Sequence, residues 1–283
     1  MGDTENTGIR RPRPVQPPTF YAGVGRCIYC NRGDVPLSDE HIVPLSFGGN
    51  GIIADASCAD CAKATSLIER RIMRELWGKP REALNFPTRR PQRRRNLIEL
   101  KTAHDAGETS LEVEWEDFPA MFVLPRMDRP GRMRGVPPSK ECTLFSPWIG
   151  TCGPNQPMDG QVSESFGIGD FVAFVAKMAH SFVFARLGRE TFEFWRCLPN
   201  VIDGSYPYPF YLVGGVRNEE VSDPFVSETN FATSFTLYSQ VLGDLEFLTV
   251  GVQMFSDVRG PSYAAIFGAR PSSTGSPTKF VCR

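Results

Sequence analysis

The sequence contains Cys27-Ile28-Tyr29-Cys30, then Asp39-Glu40-His41-Ile42-Val43-Pro44, and then Cys58-Ala59-Asp60-Cys61. A Cys-x-x-Cys turn presents two thiolates to one ion, and zinc takes four ligands in a tetrahedron. This segment is too small to bury a core of its own. The two turns therefore predict a closed structural zinc site with the ligands Cys27, Cys30, Cys58 and Cys61.

Composition places the chain among ordinary soluble proteins. It has 283 residues, 41% hydrophobic and 22% charged, with a net charge of −1, so global charge indicates no partner. We expect no signal peptide, no membrane span and a cytoplasmic location. In a reducing compartment, paired Cys-x-x-Cys spacing favours zinc over disulfides. The other four cysteines are interpreted as unpaired thiols, with a Cys142–Cys152 pair left open.

Between the cysteine pairs, a carboxylate stands next to an imidazole at Glu40-His41. Neighbouring residues on a strand point to opposite faces, so both reach one centre only where the backbone bends. Pro44 and Gly48-Gly49 supply such a turn. A histidine with a pKa of ~6.5 can take a proton from water at neutral pH, and a carboxylate can hold a divalent cation.

Taken together, the Cys-x-x-Cys pairs and the run Asp-Glu-His-Ile-Val-Pro-Leu-Ser-Phe-Gly-Gly-Asn (residues 39–50) resemble the HNH endonucleases, a ββα-metal family. The resemblance covers roughly residues 25–78. It implies that His41 is the general base that activates water and that Glu40 is a ligand of a catalytic divalent cation such as Mg²⁺ or Mn²⁺. It also implies a structural zinc on the four cysteines. The family's middle Asn, which orders the loop around the general base, corresponds to Asn50, with Asp55 as the alternative.

The chain departs from the family at Ala62, directly after the second cysteine pair. The family usually has Asn or His there as the second protein ligand of the catalytic metal, and alanine cannot ligate an ion. Thr65, Ser66 or Asp60 could complete the site. Glu69 lies two helical turns along, roughly 10 Å away, and is expected to be too far.

An arginine-rich stretch follows. From residue 70 to 95 there are ten Arg or Lys residues and two Glu. Such a run is ordinarily a solvated linker, but after a nuclease-like helix it favours contact with the DNA backbone. The predicted nucleic-acid-binding residues are Arg70, Arg71, Arg74, Arg89, Arg90, Arg93, Arg94 and Arg95.

The predicted fold class is α+β, with a small zinc-stabilised ββα domain and a larger α+β domain that has a central helix and a mostly antiparallel sheet. We expect a flexible arm (1–20), the zinc domain (21–78), a basic linker (79–100) and the larger domain (101–283). An amphipathic helix is predicted over 67–77, ended by Gly78 and Pro80, and a core helix over 166–187, on which His180 is half-buried.

The predicted strands are 209–213, 233–241, 245–252 and 263–268, and 111–115 is expected to form a hairpin with 121–125. Residues 126–162 are expected to be a long loop or partly disordered.

The leading hypothesis is a metal-dependent DNA endonuclease. An alternative is a catalytically weakened HNH-like zinc module that binds DNA or protein, and a third is an RNA-directed or toxin-like nuclease. DNA is the expected partner, no membrane is expected, and a homodimer is left open.

Overall fold

The computed structural model describes residues 16–90, 96–104, 107–115, 117–118, 120–152, 167–216, 226–229, 232–256 and 260–272. The chain is a mixed α+β protein, as predicted. The predicted arm (1–20) lies almost wholly outside these residues. The domain boundaries proposed from sequence stay predictions, but one continuous cluster of buried residues contains side chains from Val24 to Ala269.

The cysteine-containing segment forms two antiparallel strands and a helix. Strand β1 (Thr19–Tyr21) pairs in parallel with β3 (Gly51–Cys58), and β3 pairs antiparallel with β2 (Leu37–His41). A short 3-10 turn, Leu45–Phe47, lies between β2 and β3 and ends at Gly48 with φ of 84°. Helix α1 (Ala59–Arg70) follows directly.

Helix α1 continues as a π-helical segment, Arg71–Leu76, and a second helix, α2 (Gly78–Ala83), begins two residues later. The helix predicted over 67–77 therefore starts eight residues earlier. The helix ends at Leu76, one residue before the predicted end, and Gly78 and Pro80 lie in the first turn of the separate helix α2, where a missing proline N–H costs nothing.

The middle of the chain forms two hairpins. Strands β4 (Leu97–His104) and β5 (Gly107–Glu114) pair with each other, and β6 (Ala120–Met127) pairs with β7 (Leu144–Cys152). The predicted pairing of 111–115 with 121–125 is therefore wrong. Part of the predicted 126–162 loop is strand β7, and residues 153–162 lie outside the described part.

Helix α3 (Ile168–Leu187) is the central helix, and its residues from Phe171 to Phe184 are all buried. It ends at Gly188. By length and apolar composition this helix could cross a membrane, but 78% of its apolar window is buried inside the protein. Such burial is typical of a core helix.

The remaining elements are β8 (Trp195–Arg196), α4 (Leu198–Ile202), α5 (Pro209–Leu212), β9 (Val213–Val216), β10 (Val226–Thr229), β11 (Thr233–Leu242), β12 (Leu245–Met254) and β13 (Ser262–Pro271). The main sheet has the order β10-β11-β12-β13-β8, with β9 also paired to β13, and every pairing is antiparallel.

The predicted strand over 209–213 is a short helix instead, because Pro209 occupies a first helical position, where its fixed φ is favourable.

Cys197 is disulfide-bonded, so the expectation that it is an unpaired thiol is also wrong.

An aromatic cluster joins the cysteine-containing segment to the rest of the fold. Phe47 stacks on Trp77 with ring centroids 5.1 Å apart, and both rings are fully buried. Phe174 of α3 contacts both, at 6.5 and 6.0 Å, and so does Phe255 after β12, at 5.3 and 5.8 Å. The segment around the cysteines is therefore completed by the core of the C-terminal part.

Candidate functional site

The four cysteines predicted as zinc ligands converge. Cys27 and Cys30 lie in the loop between β1 and β2, Cys58 ends β3, and Cys61 lies in the first turn of α1. Their sulfur atoms all lie within 4.8 Å of one another, and the Cys30 and Cys58 sulfurs are 3.6 Å apart. None of them is in a disulfide.

Electrostatics favour a cation at this cluster. Burial and the neighbouring Cys27 raise the pKa of Cys61, since four adjacent thiols cannot all ionise without a compensating charge. Partial burial also acts to raise the pKa of Cys30, but hydrogen bonds from Arg32 lower it to about 6. A divalent ion removes the mutual repulsion of the thiolates, so the set can hold a metal such as zinc.

Arg32 bridges the cluster from outside. Its Nη2 donates to the Cys58 sulfur at 3.2 Å and to Asp60 Oδ2 at 2.6 Å, and its Nε donates to the Cys30 sulfur at 3.4 Å. These bonds link the two Cys-x-x-Cys turns through one guanidinium. They also commit the Asp60 carboxylate, proposed from sequence as a substitute ligand near Ala62, to an ion pair.

The first Cys-x-x-Cys turn is fixed to helix α3. The His180 Nε2 atom lies 2.8 Å from the Ile28 carbonyl oxygen, and the Tyr29 hydroxyl lies 3.1 Å from the Ser181 hydroxyl. The rings of Tyr29 and His180 stack at 5.3 Å. His180 is fully buried rather than half-buried, and burial lowers its pKa to about 3. The imidazole is therefore neutral and donates through Nε2.

Glu40 and His41 end β2 next to an irregularity in its pairing with β3. The register shifts between Ser38 and Glu40. The Asp39 carboxylate accepts the backbone N–H of Asp55 at 3.2 Å, where the chain takes a φ of 47°. Glu40 is buried and His41 is half-buried, and they occupy consecutive paired positions of β2, opposite Ile53 and Ile52.

The buried ammonium of Lys177, on helix α3, occupies this region. Its Nζ lies 2.8 Å from Glu40 Oε1 and 2.7 Å from Glu69 Oε1, and it also donates to the His41 backbone carbonyl. Burial alone would lower the pKa of Lys177, but the two carboxylates outweigh it and raise the pKa above its usual value. Lys177 is therefore a fixed positive charge.

Glu69 thus reaches the region of Glu40, against the expectation that it lies too far along the helix. The long side chains of both glutamates extend towards the same ammonium, which closes the distance that the helical rise implied. Thr65, another substitute proposed for Ala62, is buried and donates its hydroxyl to the Cys61 carbonyl at 3.1 Å.

His41 carries a lowered pKa. Burial is the main cause, followed by the positive charge of Lys177, and Arg89 contributes in the same direction. The imidazole is therefore neutral at physiological pH, which is the form that can accept a proton from water. Its assignment as a general base stays a prediction.

Asn50 directly precedes β3, and its Nδ2 donates to the Pro17 carbonyl at 3.0 Å. Its backbone carbonyl accepts the N–H of Thr19 at 2.9 Å. These contacts fix the entry of the chain into β1. The role of Asn50 in the loop around His41 stays a prediction.

The predicted DNA-contacting arginines fall into different environments. Arg70, Arg74, Arg89 and Arg90 are exposed, whereas Arg71 donates to Asp170 of α3 at 2.7 Å. Among the described residues, Arg74 and Arg90 have no carboxylate partner. The predicted residues Arg93, Arg94 and Arg95 lie outside the described part of the chain.

A pocket of about 460 Å³ collects part of this positive charge. Four cationic residues and one acidic residue are among those that line it: Arg74, Lys79, Arg81, Arg90 and Glu82. Arg81 is held in place, since it donates to the Met73 carbonyl at 3.0 Å and to the Ser46 carbonyl at 2.8 Å. The pocket can accept an anion the size of a phosphate group.

Sequence reasoning did not identify Lys177, Tyr29 or Arg32. A signal for the first was available: Lys177, His180 and Ser181 have i, i+3 and i+4 spacing in an otherwise apolar helix, which places three polar groups on one buried face. Their partners, Glu40 and Ile28, are more than 130 residues away in the chain and could not be inferred from spacing.

Comparison with protein-family models, curated proteins and solved structures gave no match. The resemblance to the HNH endonucleases therefore rests on the residues of the cysteine-bracketed motif alone.

Proposed function

We propose that this chain is an HNH-like, zinc-stabilised module that binds the phosphate backbone of DNA. The observation that carries the proposal is the pocket lined by Arg74, Lys79, Arg81 and Arg90, directly after the ββα elements β2, β3 and α1. Phosphate contacts by Lys and Arg supply most of the affinity of sequence-independent DNA binding.

Two features of the pocket favour a phosphate-binding role for these arginines over the alternative that they only form a solvated charged surface. Arg81 is oriented by two backbone carbonyls, so its guanidinium loses little freedom on binding. Arg74 and Arg90 are exposed and have no acidic partner among the described residues, so they are available to an anion. A planar guanidinium also matches phosphate geometry in a bidentate manner.

The pocket also connects to the Glu40–His41 region through the chain itself. Arg90 lines the pocket, while its neighbour Arg89 lowers the pKa of His41 by its charge. This continuity agrees with the nuclease-like motif without requiring cleavage.

The proposal is tested by the salt dependence of binding to a fluorescent DNA duplex. A plot of the logarithm of the binding constant against the logarithm of the salt concentration has a negative slope. We expect the magnitude of that slope to decrease by about 0.9 for each phosphate contact removed, once in Arg74→Ala and once in Arg90→Ala. Arg189→Ala, an exposed arginine outside the pocket, is the matched control and should leave the slope unchanged. Equal affinity in wild type and both pocket variants would overturn the proposal, and preference for single-stranded RNA would reassign the ligand.

Metal-dependent DNA endonuclease activity is the second candidate. The observation that favours it is the neutral state of His41, which burial and Lys177 maintain by lowering its pKa. The hydrolysis also needs a divalent cation on Glu40, and the Glu40 carboxylate is bound to Lys177 instead. The binding module is therefore preferred, and nicking of supercoiled plasmid by wild type but not by His41→Ala would favour the endonuclease.

A further inference from the structure

We infer that the ammonium of Lys177 takes the place of the divalent cation that the motif implies, so that Glu40, His41 and Glu69 form a centre closed to metal. This inference goes beyond DNA binding, which needs no ion at this position. It depends on three contacts of one buried side chain.

The Lys177 ammonium uses all of its donors inside the protein. An ammonium has three N–H bonds, and the Lys177 Nζ has three acceptors: Glu40 Oε1, Glu69 Oε1 and the His41 carbonyl. The side chain has no exposed surface. No donor is left for a phosphate group, so the lysine is an internal counterion rather than a substrate contact.

The Glu40 carboxylate is poorly placed to bind a divalent ion. Mg²⁺ takes oxygen ligands at about 2.0–2.1 Å in a strict octahedron and gives up its waters reluctantly. An ion bound by Glu40 would lie next to the Lys177 ammonium and be repelled by it. The Glu40 carboxylate is almost fully buried, so an ion held there beside Lys177 would have to give up water ligands that Mg²⁺ releases reluctantly.

Within the described part of the chain, three of the side chains that could replace the missing ligand at Ala62 are already engaged. The Asp60 carboxylate is paired with Arg32 at 2.6 Å, the Thr65 hydroxyl donates to the Cys61 carbonyl, and the Glu69 carboxylate is bound to Lys177 at 2.7 Å. Tyr29 stays protonated, because burial and the charge of Glu40 raise its pKa. The side chains around Glu40 are thus arranged for a fixed monovalent cation.

The position of Lys177 on α3 keeps its ammonium between Glu40 and Glu69. Lys177 lies on α3 next to the residues that dock the first Cys-x-x-Cys turn, since His180 and Ser181 contact Ile28 and Tyr29. The ammonium could leave the two glutamates only if this face of α3 separated from the segment that carries Ile28 and Tyr29. The same packing that completes the core therefore keeps the cation in place.

The experiment is a Mn²⁺ titration of the full, zinc-loaded chain followed by electron paramagnetic resonance. We expect wild type and Glu40→Gln to bind Mn²⁺ equally and weakly. Lys177→Met should gain one site at least tenfold tighter, and Lys177→Met/Glu40→Gln should lose it. A wild-type site that Glu40→Gln removes would overturn the inference, and so would a folded Lys177→Met protein that gains no site.

A second measurement on wild type alone keeps the test decisive if the variants fail to fold. The chain has three histidines, so their ring proton signals can be resolved by NMR. Mn²⁺ bound at Glu40 would broaden the His41 signal selectively, whereas the inference predicts that it stays sharp. No nucleic acid is present in either measurement, so failure here is distinct from failure of the DNA-binding proposal.

Discussion

The Nζ atom of Lys177 lies 2.8 Å from Oε1 of Glu40, although the two residues belong to α3 and β2. This ion pair joins the sequence motif to the central helix of the C-terminal part. It converts a carboxylate that the motif assigns to a metal into a partner of a buried lysine. The consequences reach stability, metal binding and the distinction between binding and cleavage.

Removal of the lysine charge should destabilise the fold strongly. Lys177→Met leaves two glutamates without their buried counterion, and breaking such a pair typically costs about 3–5 kcal/mol. The triple variant Lys177→Met/Glu40→Gln/Glu69→Gln should recover most of this loss, because no uncompensated charge remains. Urea unfolding measures both, and a single-variant cost below about 1 kcal/mol would show that the charges are solvated.

Loss of one cysteine ligand should abolish metal binding. Native mass spectrometry should find one zinc per chain in wild type and none in Cys58→Ser. The melting temperature should fall by roughly 10 °C or more, given ~2–4 °C per kcal/mol for a chain of this size. Cys142→Ser, a free cysteine outside the cluster, is the control. An unchanged melting temperature in Cys58→Ser would contradict a structural metal.

The cysteine cluster could be predicted from the sequence, whereas the ion pairs of Lys177 could not. The cysteine spacing alone predicted the cluster, because each Cys-x-x-Cys turn brings its own sulfurs together and the two turns flank a short β-hairpin. Strands β11 to β13 and helix α3 were also predictable from apolar patterning. Each of these signals is local in the chain.

Strand partners and tertiary contacts could not be predicted in the same way. Alternation at 111–115 identified a strand but not its partner, which is the preceding strand Leu97–His104. The acceptors of Lys177 are Glu40 and the His41 carbonyl of β2 and Glu69 of α1, and only tertiary packing brings them to α3. The Glu40–His41 motif could therefore be recognised in the sequence, but the lysine that binds it could not be predicted.

Acid should destabilise the fold through His180. Its pKa is about 3 in the folded chain because of burial, against ~6.5 when unfolded. Below pH 6.5 the unfolded state therefore binds a proton that the folded state does not, and stability falls by about 1.4 kcal/mol per pH unit.

The control is His180→Gln, whose amide can still donate to the Ile28 carbonyl. Urea unfolding between pH 6.5 and 5.0 should show a loss about 2 kcal/mol smaller in this variant than in wild type. Both proteins keep all four cysteines and His41, so those contributions cancel. Parallel pH profiles would contradict the assignment.

Arg71 should contribute less to DNA binding than Arg74. Arg71 is paired with Asp170 at 2.7 Å, so a phosphate must compete with that carboxylate, whereas Arg74 has no acidic partner among the described residues. Arg71→Ala should reduce the salt slope by less than Arg74→Ala. Asp170→Asn should raise the affinity by freeing Arg71. Identical slopes for the two arginine variants would show that the ion pair opens at no cost.

The central claim, a zinc-stabilised module that binds DNA while Lys177 excludes the catalytic ion, is tested most directly in one reaction. Zinc-loaded protein is mixed with supercoiled plasmid and Mg²⁺ or Mn²⁺, and the mixture is divided between a mobility-shift gel and a denaturing gel, with His41→Ala alongside. The account predicts shifted plasmid that remains uncut for both proteins. Nicking by wild type that His41→Ala abolishes would contradict it.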